Sequence, residues 1–125
     1  MTRKYVALVV SIDEVVEEEV VLLIGDVQAK CFVNYCSSKI EVGKQYEIEL
    51  EMMLPDKGFV IAAEEKSRAI EMIGGGFSCV LSGYLNGSVF RSFVDFDDQG
   101  IHYDYPELNE QYVKIAVDRI DVSFD

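Results

Sequence analysis

A chain of 125 residues, half of them apolar and 27% charged, has the length and composition of one globular domain with a real core, and is too apolar for a disordered tail. Its 23 acidic against 11 basic residues leave a net charge of −12, which repels a duplex phosphate backbone and disfavours nonspecific nucleic-acid binding. Three cysteines, Cys31, Cys36 and Cys79, are an odd number without CxxC spacing, so neither a disulfide framework nor a zinc site is supported and a reducing, cytoplasmic setting is expected.

The dominant period is two rather than 3.6. After Arg3 and Lys4, residues 5–12 form an apolar run too short for a signal peptide core followed by a cleavage site, and no other run approaches the roughly 20 residues of a membrane span. Within it Val6, Leu8, Val10 and Ile12 alternate and predict a strand with those residues on the apolar face. Residues 20–24 are a continuous apolar run, Gly25-Asp26 supplies a turn, and Val27, Ala29, Cys31 and Val33 resume the alternation. The clearest pattern lies in residues 44–54, where Tyr46, Ile48, Leu50 and Met52 alternate with Glu47, Glu49 and Glu51, giving a strand with one buried and one wet face. Pro55-Asp56-Lys57-Gly58 is a turn.

One helix is predicted, over residues 62–73. This stretch is rich in Ala, Glu and Lys, offers a Glu64–Arg68 pair four apart, and sets Ala62, Ala69, Ile70 and Ile73 on one side before Gly74-Gly75-Gly76 ends it. Next, Asn86-Gly87 predicts a type I′ hairpin turn between strands 77–85 and 88–96. In the last strand Val113, Ile115 and Val117 are odd while Ile120, Val122 and Phe124 are even, and a bulge near Asp118-Arg119 would reconcile the two phases. The expected fold is a single domain over residues 1–125, mainly β with one short helix. Its architecture is a small barrel similar to oligonucleotide/oligosaccharide-binding (OB) barrels, or a sandwich of about eight antiparallel strands.

Function is best sought in residues 92–112, which hold Asp95, Asp97, Asp98, Asp104, Glu107 and Glu110 together with Phe93, Phe96, Tyr103, Tyr105 and Tyr112, and no Lys or Arg. Rings give contact area and carboxylates a negative field, a composition suited to a basic partner and unsuited to phosphate. The expected contact residues are Asp95, Asp97, Asp98, His102, Tyr103, Asp104, Tyr105 and Glu107. His102 is the only histidine, so triads and multi-histidine metal sites are excluded; a His102/Asp104 pair on one strand face is weighed against an exposed polar strand with Ile101, Tyr103 and Tyr105 turned inward. Asp95, Asp97, Gln99 and Gly100 resemble the first half of an EF-hand calcium loop, but the twelfth position is Pro106, and no metal or cofactor is expected.

With no catalytic motif, the chain reads as a noncatalytic acidic interaction module docking a basic protein, by the physical logic of immunity and inhibitor proteins. One alternative is an OB-like single-stranded nucleic-acid binder using Arg91, Lys114 and Arg119 on phosphates; another is a structural subunit that forms a homo-oligomer through strand edges. Cys31 and Cys79 read as small core hydrophobes and Cys36 as the exposed thiol.

Overall fold

Period-two patterning carries the backbone into strands for most of its length. The computed structural model describes residues 3–56 and 58–125. Among them the strands run β1 (Tyr5–Ile12), β2 (Glu19–Ile24), β3 (Val27–Cys36), β4 (Gln45–Met53), β5 (Val60–Ala62), β6 (Ala69–Met72), β7 (Cys79–Asn86), β8 (Val89–Arg91) and β9 (Asp95–Asp97). A short helix α1 (Gln99–Asp104) and a 3-10 turn (Pro106–Leu108) follow, then β10 (Tyr112–Val117) and β11 (Arg119–Phe124). The chain is therefore mainly β, in two sheets. It divides into two compact units, Met1–Met53 with Arg119–Asp125, and Leu54–Asp118. Lys57 of the expected turn lies outside the described residues.

In the first unit the strand order is β1-β2-β3-β11-β4, and β4 pairs back onto β1, so the ring of pairings closes. All pairings are antiparallel except β3 with β11. A parallel pair needs a long crossover, and here β4 and the whole second unit intervene in sequence. The Gly25-Asp26 turn forms as expected, with Ile24 opposite Val27 and Gly25 at φ 63°. The Glu-rich strand also holds its pattern, with Ile48 and Met52 buried and Glu47 and Glu51 exposed. In β1 the expected face is reversed: Ala7 and Val9 are buried while Val6 is 57% exposed. Valines stand on both faces of this strand, so its apolar alternation is ambiguous. Pairing with Tyr46 and Leu22 fixes which set turns inward.

Contacts made by Lys4 and Arg119 tie the last strand into this unit. Lys4 Nζ lies 2.7 Å from Asp125 Oδ2 and 3.8 Å from Glu47 Oε1, and the Asp125 hydrogen bond and charge hold the ammonium above its ordinary pKa. Arg119 Nε donates to the buried Asp121 carboxylate at 2.7 Å, while its guanidinium carbon sits 4.1 Å from the centre of the Phe32 ring.

In the second unit the sheet order is β5-β10-β7-β8-β9, with β6 also paired to β7. Its apolar face carries Leu81, Leu85, Phe90, Phe96, Val113 and Ile115, each at most 3% exposed. The predicted helix over residues 62–73 does not form. Val60–Ala62 pairs with β10, and Ala69–Met72 makes a four-residue antiparallel ladder with Ser82 to Cys79. An isolated amphipathic helix of a dozen residues is marginal, and tertiary pairing outweighs its weak propensity. The glycine run accordingly turns β6 into β7, with Gly74 at φ 66° and Ile73 N donating to Ser78 O at 2.9 Å.

The Asn86-Gly87 hairpin forms one residue out of the expected frame. Asn86 pairs with Val89, so the central residues are Gly87 and Ser88, and only Gly87 of these has positive φ, at 62°. A type I′ turn needs positive φ at both central positions; glycine alone at the first matches type II′. Residues 88–96 are likewise not one strand, because a turn at 92–94 folds β9 back on β8. Finally, the slip near Asp118 is not a bulge: β10 belongs to the second sheet and β11 to the first, so each half obeys its own core.

Cys31 and Cys79 are buried and Cys36 partly exposed, all as free thiols. Burial pushes the Cys79 thiol up from 9.0 to about 11. The unfolded thiol ionises near 9 while the folded one keeps its proton, so this contribution to stability is complete below pH 9 and lost as pH rises towards 11. Wild-type melting temperature should therefore fall more steeply between pH 9 and 11 than that of Cys79→Ala. Parallel slopes would show that the thiol does not titrate differently in the two states.

Candidate functional site

The proposed contact residues fall on β9 and on the connection from β9 to β10. Asp98 starts α1: its backbone is extended, and its side chain accepts from Ile101 N at 3.1 Å. Ile101, 1% exposed, anchors this helix to the core. The connection is fastened to the β7–β8 hairpin at both ends. Asp98 N donates to Ser88 O and Gly87 N donates to Asn109 Oδ1, each at 2.8 Å. Glu110, held in the left-handed region at φ 61°, donates its N–H to Leu85 O at 2.8 Å.

Helix rather than strand redistributes the side chains. His102 and Asp104, expected on one strand face, stand two residues apart on a helix and point roughly 200° apart, so the residue pattern that suggested an acid–base pair is undone. Tyr103, one of the expected contact residues and turned inward only in the alternative strand reading, is 85% exposed. Asp97, His102, Asp104 and Glu107 are also exposed, and Asp95, Asp98 and Tyr105 are half-buried. Of the remaining rings, Phe96 is in the core with Phe93 edge-on at 6.0 Å, and Tyr105 packs against Phe59 at 5.5 Å. Asp98, which lies inside the calcium-like run but at none of its ligand positions, is committed to capping. Among the described residues no group of three or more His, Cys, Asp and Glu side chains could hold a metal ion.

A second feature escaped the sequence because it depends on strand register. An open groove of about 340 Å³ is lined by Ala63, Glu64, Lys66, Tyr84, Glu110, Gln111 and Tyr112. Tyr84 and Tyr112 are directly paired across β7 and β10, their rings 5.1 Å apart and tilted by 59°. Arg91 and Lys114, expected to act with Arg119, belong to this second unit, whereas Arg119 lies in the first and is engaged by Asp121.

A family model described as "Uncharacterised conserved protein UCP019853" matches residues 3–125. The chain belongs to that family. No curated protein and no solved structure matches it. The match takes in both compact units, so the β9–β10 connection and the ring-lined groove both lie within the family's extent. Among the described residues no helix is long and apolar enough to cross a membrane.

Proposed function

We propose that this chain is a noncatalytic, cytoplasmic interaction module that presents its β9–β10 connection to a basic protein partner. The supporting observation is Tyr103, 85% exposed on a connection whose two ends are hydrogen-bonded to a hairpin, with Asp97, Asp104 and Glu107 of the same segment also exposed. A tyrosine has only two side-chain torsions to immobilise on docking, and it is among the residues enriched at interface hot spots. The carboxylates speed encounter with a cationic surface and penalise an anionic one. For the first unit we favour an OB-like barrel, on the strength of the order β1-β2-β3-β11-β4 with β4 returning to β1. In this reading the second unit is the sequence between the last two barrel strands, β4 and β11, and carries the contact surface.

The immobilised chain should retain a basic protein from lysate of the source cells, released by raised salt. Against that purified protein, Tyr103→Ala with Asp104→Lys and Glu107→Lys should weaken affinity at least tenfold, about 1.4 kcal/mol, with an unchanged circular dichroism spectrum. These three positions are exposed, so their replacement leaves the core intact. Equal affinity of the triple variant would remove the connection from the contact surface.

A further inference from the structure

We propose that the outer face of the second sheet, centred on Tyr84 and Tyr112, binds single-stranded nucleic acid by stacking unpaired bases on those rings. The face is fixed by register. Tyr112 on β10 pairs with Tyr84 on β7, Tyr84 pairs with Arg91 on β8, and directly paired residues share a face. Lys114, two residues beyond Tyr112, points the same way, and Lys66 lines the groove beside both rings. Two adjacent ring faces and three cations therefore lie on one side of one sheet, in a chain with only eleven basic residues.

These cations differ from others in the chain. Lys4, Lys44 and Arg119 are each tied to a carboxylate within 4.0 Å. Among the described residues Lys66, Arg91 and Lys114 make no such ion pair, and Arg91 and Lys114 are exposed. The row from Tyr112 through Tyr84 to Arg91 spans two strand spacings, roughly 10 Å, with a cation beyond the rings along two directions. That layout suits a run of linked nucleotides, with bases on the rings and phosphates on Arg91 and Lys114, better than one free nucleotide. Glu64 and Glu110 also stand at this face and accept from exocyclic amino groups, whose pairing hydrogens an unpaired base leaves open and a duplex does not. Their charge, with the net −12, lowers affinity for duplex phosphates more than for a single strand of lower charge density.

The test uses the full-length chain and a fluorescently labelled single-stranded oligonucleotide of about ten nucleotides, within the usual span for such sites. At low ionic strength its anisotropy should rise and saturate, and binding should weaken with added salt. The sequence has seven tyrosines and no tryptophan, so quenching of tyrosine emission reports stacking directly. Tyr84→Leu and Tyr112→Leu should each weaken binding about tenfold. Arg91→Glu with Lys114→Glu, at exposed positions that leave the core intact, should weaken it at least as much and flatten the salt dependence. The charge-reversed variant of Asp104 and Glu107 should bind no more weakly than wild type, which separates this face from the acidic connection. Absence of binding at low salt would overturn the proposal. So would equal affinity for a duplex, displacement by a 5′-mononucleotide as effective as by unlabelled strand, or full binding by the Arg91/Lys114 variant.

Discussion

Replacing Phe90 with alanine should destabilise the protein by about 3–5 kcal/mol, the range for removing a fully buried aromatic ring from a core. Phe90 is 1% exposed and stacks on Phe96 at 6.5 Å, which in turn meets Phe93 edge-on at 6.0 Å. Three rings from β8, β9 and the turn between them thus close one end of the second unit's core. The strands that carry them are three residues each and make few ladder hydrogen bonds, so ring packing supplies much of what holds them. Urea denaturation should show a lower midpoint with an unchanged slope, because the loss lies in native packing rather than in the area exposed on unfolding. A loss below about 1 kcal/mol would mean that the core collapses around the missing ring, which a site walled by short hairpin strands should not do.

Gly83→Ala should be nearly as damaging, for the opposite reason. A Cβ at Gly83 would meet the backbone carbonyl oxygen of Arg91 and lie 2.8 Å from Cε1 of Phe90. The absent side chain of β7 is the space into which the Phe90 ring and the β8 backbone settle. Overpacking of this kind typically costs about 1–3 kcal/mol, and the upper part of that range is expected because a paired strand backbone yields less readily than a side-chain tip. The two substitutions should also couple. In a Phe90→Ala background the ring contact disappears but the carbonyl contact stays, so Gly83→Ala should remain destabilising while costing less than in wild type. Thermal unfolding of the four proteins in the cycle measures this, and a neutral Gly83→Ala in either background would show that β7 and β8 are free to separate.

Much of the first unit could be read directly from its residues. Alternation in residues 44–54 set both the strand and its buried face, because the carboxylates leave no ambiguity about which side is wet. Gly25-Asp26 set its turn because glycine accepts positive φ without strain. In β1 the converse holds: with valine on both faces, the choice of inward side passes to neighbouring strands. The helix assigned to residues 62–73 failed through the same dependence. Ala, Glu and Lys favour a helix by only tenths of a kcal/mol each, and a free edge on β7 offers four residues a ladder.

The candidate surfaces divide along the same line. Local composition locates the acidic, ring-bearing segment, but its side-chain directions follow from a helix capped by Asp98 rather than from a strand. The Tyr84–Tyr112–Arg91 row joins residues up to 28 positions apart in sequence, from Tyr84 to Tyr112, and no local pattern relates them. What the sequence determined alone was β class, the acidic surface, the reduced core cysteines and most turn sites, each set by chemistry within a few residues. Only the tertiary structure decided which sheet each half of residues 112–124 joins, which faces turn inward and which rings stand together. Those choices are made by backbone hydrogen bonds and burial between distant segments, where register converts positions far apart in the chain into neighbours on one face.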